Sequence, residues 1–271
     1  MNIPHLIACD IDGTLLPAGQ PQLRPETAEL IARLRAAGIH FVPASGRQYP
    51  SLHRLFAPFA STMPFVAENG TIALMGEHAI YRATMDDALG DQIVHAVLER
   101  DTCEVMVSGA RASYLQPKNG EFLKLLRDAI KYEVVVVDDV TKRDEPYSKI
   151  SVYHPNAYDE EAYWRERFGA HCAVAVSGLT WVDLMPAGVS KASGLAAVCA
   201  ELGVDPADCL AIGDADNDAE MFDFAGQAIA METASVKAKA HADAITPNPD
   251  EVFARILAQI EPQTRAVSKN R

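Results

Sequence analysis

Two aspartates near the start of the chain have the types and spacing that metal-assisted or acid–base chemistry needs. Asp10 and Asp12 stand two residues apart, where the apolar run HLIA gives way to a turn at Gly13. The run predicts a short buried strand, and residues two apart on a strand share a face, so both carboxylates should project beyond its end. Such a pair persists when a cation lies between the carboxylates or one of them holds a proton. The alternative is a solvated, Asp-rich turn.

A second group of polar side chains follows about two hundred residues later. The segment AIGDADNDAEMF places Asp214, Asn217 and Asp218 directly after another short apolar strand. Capping of a helix N-terminus would explain one aspartate, but not the whole group. Together with the first pair, these residues form an oxygen-rich set without thiolates, which is the set that a hard cation such as Mg²⁺ prefers.

Two smaller segments offer groups that suit a phosphate. The segment PASGR follows the predicted strand IHFV, and it places the hydroxyl of Ser45 and free backbone N–H groups at a strand end. Lys191 opens a helix with apolar periodicity, where its positive charge opposes the helix macrodipole. That cost favours a functional reason for the lysine, and a solvated lysine stays the alternative.

These segments resemble, in order and spacing, the motifs of the haloacid dehalogenase-like superfamily of phosphohydrolases. They are DIDGT at 10–14, SGR at 45–47, Lys191 and GDADND at 213–218. The segment VAENGT at 66–71 is similar to a further signature of the Cof-like subfamily, subclass IIB, whose members have a large cap domain. The motifs extend over most of the chain, and four in the correct order form a specific signal.

The resemblance implies catalytic and metal-binding roles for the matched residues. Asp10 would attack phosphorus and form an aspartyl-phosphate, while Asp12 would act first as general acid and then as general base. The cofactor Mg²⁺ would be bound by Asp10, Asp214 and the backbone carbonyl of Asp12. Asp218 would complete the metal site by orienting bound water or Lys191, which is itself expected to take part in catalysis.

The resemblance also implies a set of phosphate and substrate contacts. Besides Lys191, the residues expected to provide these contacts are Ser45, Gly46, Arg47, Asn69 and Asn217. For Arg47 and Asn69 two roles stay open, contact with the substrate or support of the loops around it.

Charge and composition limit the class of partner. With 37 acidic and 24 basic residues the net charge is −13, which argues against nucleic acid because its binding needs a basic surface. No apolar run approaches the length of a membrane span, and no signal segment precedes the first strand. The five scattered cysteines indicate buried thiols in a reducing compartment. We therefore expect a cytoplasmic protein, monomeric or homodimeric, that binds a small phosphorylated metabolite and neither membrane nor nucleic acid.

The order of elements predicts an α/β fold. Strands alternate with helices at both ends of the chain, which predicts a doubly wound, Rossmann-like parallel sheet with ligands at the carboxyl ends of its strands. The middle of the chain predicts an α+β block with an antiparallel sheet. We expect helices at 88–100, 120–131 and 159–168, and strands at 103–107, 133–137, 148–153, 171–176 and 180–184.

The spacing of the motifs indicates where this block is inserted. Only about thirty residues separate Thr14 from Ser45, whereas well over a hundred separate Arg47 from Lys191. The predicted domains are therefore a catalytic core at 1–83 and 185–271 and an inserted α+β cap at 84–184.

The resemblance implies a Mg²⁺-dependent phosphatase that acts on a sugar phosphate or a phosphorylated cofactor. One alternative is a phosphomutase, because related mutases share the aspartyl-phosphate step. Another is a catalytically idle metabolite-binding protein, although the two aspartates of the first motif are both intact.

Overall fold

Fourteen strands and nine α-helices are present in the computed structural model, which describes residues 2–17, 20–109 and 111–268. The strands are β1 (Leu6–Cys9), β2 (His40–Pro43), β3 (Pro64–Ala67), β4 (Ile72–Met75), β5 (His78–Arg82), β6 (Glu104–Ser108), β7 (Ser113–Leu115), β8 (Val134–Val136), β9 (Lys149–Tyr153), β10 (Cys172–Ser177), β11 (Trp181–Pro186), β12 (Cys209–Gly213), β13 (Gln227–Met231) and β14 (Ala244–Thr246). The α-helices are α1 (Pro25–Ala36), α2 (Tyr49–Leu55), α3 (Asp87–Leu98), α4 (Gly120–Lys124), α5 (Ala157–Phe168), α6 (Lys191–Leu202), α7 (Ala219–Phe224), α8 (Val236–Ala240) and α9 (Pro249–Ser268). No helix in these ranges is both long and apolar enough to cross a membrane.

A five-stranded parallel sheet is built from the two ends of the chain. Its order is β14-β13-β12-β1-β2, so β1 lies between β12 and β2. All four residues of β1 are buried, as expected for a strand covered on both faces. The carboxyl ends of β1, β2 and β12 therefore meet at one edge of the sheet, which is the edge where the first, second and last motifs begin.

A three-stranded antiparallel sheet, β3-β4-β5, extends this part of the fold. A single parallel bridge between Ala44 and Val66 joins it to the end of β2. The sequence predicted β3 but not the hairpin of β4 and β5. The strand β5 is mostly exposed and gives no strong apolar signal, whereas β4 is apolar throughout but has only four residues.

A separate six-stranded sheet, in the order β10-β11-β9-β6-β7-β8, is formed by the middle of the chain. One of its faces packs on α3 and α5 in a hydrophobic cluster that includes Ile93, Val152 and Trp164. The predicted fold class, a parallel α/β sheet with a second α+β unit, is confirmed. The exact bounds of the core and of the cap segment, residues 84–184, stay a prediction.

Within the cap segment, two local predictions need correction. The three-residue strand β7 was not expected, because Ser113–Leu115 is too short to show a period, and its pairing with β8 is parallel rather than antiparallel. The helix predicted at 120–131 is α-helical only to Lys124 and continues as a π-helical turn to Ile130. Every other predicted helix and strand of this segment lies within two residues of its observed bounds.

Two glycines test how closely the core elements approach each other. Gly70 (φ +92°) precedes β4, and a Cβ there would lie 1.9 Å from the carbonyl oxygen of Ser190, next to α6. Gly38 has nearly the same φ of +91°, but a Cβ there would have no atom within 4 Å. We expect Gly38→Ala to lower the free energy of unfolding by about 1–2 kcal/mol through backbone strain alone. Gly70→Ala should lower the free energy of unfolding by about 1–3 kcal/mol more than Gly38→Ala, because its Cβ would also clash with Ser190. Urea denaturation measures both losses. Equal losses for the two variants would contradict this close approach.

Candidate active site

The first motif turns sharply at the end of β1. The amide of Asp10 donates to the carbonyl of Ile212 at 2.8 Å, which extends the parallel pairing one residue beyond the strand. The turn then reverses at Gly13, which has a φ of +88° and passes so close to Asp214 that a Cβ would lie 2.3 Å from its carboxylate. The hydroxyl of Thr14 donates to Asp214 at 2.7 Å. The first and last motifs are therefore held against each other, as predicted from their positions at strand ends.

Three carboxylates and one ammonium form the centre of the site. Oxygens of Asp10, Asp214 and Asp218 lie within 4.8 Å of one another. The Nζ atom of Lys191 donates to Asp10 and to Asp218, at 2.6 Å each, and the lysine is only 1% exposed. The alternative of a solvated lysine is therefore wrong.

Lys191 is the first residue of α6, and the start of this helix places its side chain next to the carboxylates. The hydroxyl of Ser193 accepts from the amide of Ser190 at 3.1 Å and donates to its carbonyl at 2.8 Å, which fixes the first turn of the helix. The unfavourable placement of a cation at a helix N-terminus is offset by the two carboxylates that it contacts.

The electrostatics of the cluster follow from its burial. Burial disfavours the charge of Lys191, but attraction to Asp10 and Asp218 outweighs it and raises the pKa of the ammonium. Burial raises the pKa of Asp10 well above its usual value, and attraction to Lys191 opposes that rise. Burial also raises the pKa of Asp214, against the hydrogen bond from Thr14. Three carboxylates share one ammonium, so the cluster fits a divalent cation with oxygen ligands.

Asp218 differs from the other two acids in its hydrogen bonds. One of its oxygens accepts from Lys191, and the other accepts from the amides of Asp214 and Ala215 at 2.9 Å each. It therefore holds both the lysine and the loop after β12, and it has fewer lone pairs left for a metal.

Arg47 holds the carboxylate of Asp12 at the side of the site. Its guanidinium contacts that carboxylate through Nε at 2.7 Å and Nη2 at 2.5 Å, a two-point ion pair. Asp12 stays 58% exposed, so its carboxylate is accessible while its orientation is fixed. The amide of Arg47 also donates to the buried hydroxyl of Ser45 at 3.2 Å. Arg47 also lines the cavity described below, so both roles left open for it, contact with the substrate and support, stay predictions.

Asn69 and Asn217 connect the core loops to the cap segment. Asn69 donates to Asp183 at 2.6 Å and to Ser177 at 2.9 Å, and both acceptors belong to cap strands. Asn217 donates to the side-chain oxygen of Asn69 at 2.9 Å. A Cβ on Gly46 would lie 3.1 Å from that same oxygen, so the second motif also passes close to Asn69.

A cavity of about 310 Å³ lies between the motif loops and the cap sheet. Its floor is formed by residues that the sequence predicted as site residues, namely Asp10, Asp12, Ser45, Gly46, Arg47, Asp214 and Asn217. Its roof is formed by cap residues, namely Met106, Ile130, Tyr132, Lys149, Ser151, Ser177, Gly178, Leu179, Thr180, Trp181 and Asp183. Lys191 and Asp218 lie beneath the floor, and Asn69 lies at the side.

The sequence analysis missed the roof residues, although one signal for them was present. In β9, the polar Lys149 and Ser151 alternate with Ile150 and Val152, and all four are buried. In an ordinary two-faced strand the polar face is solvated. A buried polar face therefore indicates that this side of the strand covers a polar site.

Removing the ammonium group of Lys191 should destabilise the fold, and the size of the loss should depend on pH. At pH 8, Lys191→Met leaves buried carboxylates unpaired and should cost about 3–5 kcal/mol of unfolding free energy. The pKa of Asp10 is already raised in the folded state and loses its main opposing influence in the variant. A carboxyl with a raised folded pKa stabilises the fold when protonated, and this contribution is lost as the pH rises through that pKa. The loss should therefore be smaller at pH 5 than at pH 8.

Urea denaturation at both pH values, with chelator present, measures this difference. The exposed Lys237→Met is the matched control and should cost less than about 0.5 kcal/mol. A cost for Lys191→Met that is equally small, or that grows as the pH falls, would contradict the assigned pairing.

Known proteins resemble the chain over most of its length. The 5-amino-6-(5-phospho-D-ribitylamino)uracil phosphatase YbjI of Escherichia coli K12 is 29% identical over 234 residues, which cover 84% of this chain and 85% of that protein. The HMP-PP phosphatase of Citrobacter koseri is 26% identical, with 85% of each chain covered.

The solved structure of the subclass IIB sugar phosphatase BT4131 superposes on this chain with a TM-score of 0.78 and 20% sequence identity. The match covers 93% of this chain and 96% of that one, and at this identity it supports the fold alone. A family model described as haloacid dehalogenase-like hydrolase matches residues 7–255. The chain therefore belongs to the haloacid dehalogenase-like hydrolases, as its motifs predicted.

Proposed function

We propose that the chain is a Mg²⁺-dependent phosphatase that hydrolyses a small phosphorylated metabolite through an aspartyl-phosphate on Asp10. The observation that carries this proposal is the buried Asp10 carboxylate, which lines the cavity floor, accepts a hydrogen bond from Lys191 and lies close to the carboxylates of Asp214 and Asp218. Membership of a hydrolase family supports it, and so do the phosphatase names of the two curated relatives.

Asp10 is the nucleophile in this mechanism. Its carboxylate oxygen bonds to phosphorus as the bond from phosphorus to the ester oxygen breaks, which leaves an aspartyl-phosphate and an alcohol. Lys191 fixes the orientation of the carboxylate, since it donates to one of its oxygens at 2.6 Å. Water then attacks the phosphoryl group, releases inorganic phosphate and restores Asp10.

Asp12 moves the proton in both steps. It protonates the leaving oxygen first and deprotonates the attacking water afterwards. The ion pair with Arg47 holds its carboxylate at the cavity wall, where a leaving group can reach it. In this proposal Arg47 acts by positioning Asp12.

The remaining floor residues hold the phosphoryl group and the metal ion that balances its negative charge. The hydroxyl of Ser45, the backbone at Gly46 and the amide of Asn217 line the cavity beside Asp10. Mg²⁺ would be held by Asp10, Asp214 and the carbonyl of Asp12, with Asp218 behind them, and it neutralises the phosphoryl oxygens when bound.

The substrate class follows from the relatives and from the size of the cavity. A phosphoribitylamino compound is named for one relative and HMP-PP for another. The cavity volume of about 310 Å³ is at the small end of the roughly 300–1,000 Å³ typical of ligand sites. We therefore propose a small phosphorylated metabolite, with sugar phosphates and phosphorylated cofactors as the two classes. The cytoplasmic location, the oligomeric state and the absence of nucleic-acid binding stay predictions.

The first test is the requirement for metal and for Asp10. We expect hydrolysis of p-nitrophenyl phosphate with Mg²⁺, and its loss after exhaustive chelation. Asp10→Asn should lower kcat by at least about 10³-fold, because an amide is a poor nucleophile and a weak metal ligand. Full activity without divalent metal would contradict the metal assignment, and near-normal turnover by Asp10→Asn would contradict the assignment of Asp10 as the nucleophile.

The second test separates Asp12 from Asp10. If Asp12 is the general acid, Asp12→Ala should slow phosphoryl transfer from an alkyl phosphate by about 10²–10⁴-fold. It should slow the first step much less with nitrophenolate, which leaves without a proton, and it should still bind Mg²⁺. Rapid-mixing kinetics with both substrates measure the first step directly. Equal slowing for the two leaving groups, with metal still bound, would show that Asp12 is not the acid.

A further inference from the structure

One face of the cap sheet forms much of the cavity roof, and it carries the polar residues Lys149, Ser151 and Asp183 beside the apolar Met106 and Trp181. In the cap sheet Met106 pairs with Ser151, and Ser151 pairs with Asp183, so the three lie side by side across β6, β9 and β11. Lys149 lies two residues from Ser151 on the same face, and Trp181 lies two residues from Asp183. The opposite face of the same strands is apolar and packs on α3 and α5. The polar face is therefore the one turned toward the phosphate-binding floor.

The ammonium of Lys149 has all its charge compensated within the protein. It donates to the carbonyl of Gly46 at 2.8 Å, contacts Glu68 at 2.8 Å and lies 3.5 Å from Asp183. Each of these side chains is at most 3% exposed. Attraction to Asp183 and Glu68 outweighs burial and raises the pKa of Lys149, so the lysine stays charged. One ammonium faces two carboxylates, and the group has no net positive charge whether Glu68 is ionised or protonated.

Among the described residues that line the cavity, no other cation is available for an anion at the roof. Among the described lining residues the second cation is Arg47, whose charge is balanced by Asp12. Lys191, beneath the floor, is balanced by Asp10 and Asp218. A second anionic group on a substrate would leave water and meet a neutral or negative surface, which is unfavourable at low local dielectric.

The roof does offer hydrogen bonds to neutral groups. The hydroxyls of Tyr132 and Thr180 line the cavity and make no hydrogen bond to any residue in the described ranges. A hydroxyl both donates and accepts, so it suits the hydroxyls of a ligand. The side chains of Met106 and Trp181 provide apolar surface for the carbon chain or ring that carries those hydroxyls.

We propose that the Glu68–Lys149–Asp183 group determines specificity by charge, so that the cavity accepts monophosphate esters with a neutral, hydroxyl-bearing leaving group and rejects those with a second anionic group. This inference rests on the proposed phosphatase function and narrows its substrate class. Lys149 is not a receptor for a second phosphate or a carboxylate, because its ammonium donates to the carbonyl of Gly46 and is already paired with two buried carboxylates, those of Glu68 at 2.8 Å and Asp183 at 3.5 Å.

A matched pair of ligands tests the proposal without turnover. D-Glucitol 6-phosphate and 6-phospho-D-gluconate differ only in a terminal CH₂OH or carboxylate. We would measure both dissociation constants by calorimetry with excess Mg²⁺, in a chain carrying Asp10→Asn so that neither compound is hydrolysed. The gluconate should bind at least tenfold more weakly. Equal binding, tighter binding of the gluconate, or binding of neither compound at about 10 mM would overturn the proposal.

Two substitutions test whether the group causes the discrimination. Glu68→Gln and Asp183→Asn each replace a carboxyl group with an amide that cannot ionise and keep an oxygen acceptor. Each should reduce the ratio of the gluconate to the glucitol dissociation constant at least threefold. The matched control is Glu160→Gln, which removes a buried cap carboxylate that pairs with Arg100 and does not line the cavity. It should leave the ratio unchanged.

The outcomes separate this inference from the proposed function. Circular dichroism checks that each variant is folded, and either Glu68→Gln or Asp183→Asn alone is sufficient for the comparison. Unchanged ratios in the folded variants would overturn the inference, even if the unaltered chain hydrolyses p-nitrophenyl phosphate. Loss of that hydrolysis with the ratios behaving as expected would instead contradict the phosphatase assignment.

Discussion

The buried ammonium of Lys191 is the interaction on which the rest of the site depends. It lies between Asp10 and Asp218 with almost no exposure, and each of those acids is tied to a different part of the core. Asp10 ends the pairing of β1 with β12, while Asp218 holds the loop after β12 through two amides. A buried charge of this kind requires its partners, because the desolvation cost is large when either one is removed. The lysine therefore fixes the nucleophile candidate and the last motif in one arrangement.

A second polar group performs a related task on the other side of the cavity. Lys149 extends from the cap sheet to the carbonyl of Gly46, and it is paired there with Glu68 and Asp183. Glu68 belongs to a loop with positive φ, at 51°, an uncommon conformation for a residue other than glycine. Its amide bonds to the carbonyl of Arg47, so the loop supports the second motif directly. The cap segment thus both closes the cavity and braces its floor.

The sequence predicted the floor of the site well, for a simple physical reason. Carboxyl ends of neighbouring parallel strands meet at one edge, so residues after β1, β2 and β12 had to converge once the strands were recognised. One partner of Lys191, Asp218, was suggested by resemblance to a family and not by periodicity, whereas its contact with Asp10 was not predicted. The pairing of Arg47 with Asp12 was not predicted, because it depends on the exact path of two turns that no local pattern specifies.

The roof was missed for a different reason. The alternation in β9 shows that a polar face is buried, but periodicity does not say what that face covers. That information depends on how the cap sheet lies over the core, which is a long-range property of the chain. Shortness alone does not explain why β4, β5 and β7 were missed, since the equally short β1, β3 and β8 were predicted. The strand β5 is mostly exposed, so it shows no apolar run that a sequence pattern could reveal.

Chemical identification of the phosphorylated residue tests the central claim most directly. Asp12→Ala, mixed with p-nitrophenyl phosphate and Mg²⁺, should accumulate the covalent intermediate, since its hydrolysis needs the missing base. Quenching in acid and reduction with borohydride converts an aspartyl-phosphate to homoserine, which peptide mass spectrometry locates. The account predicts homoserine at position 10. Homoserine at another position, or a full burst of nitrophenolate with no modified residue, would contradict it.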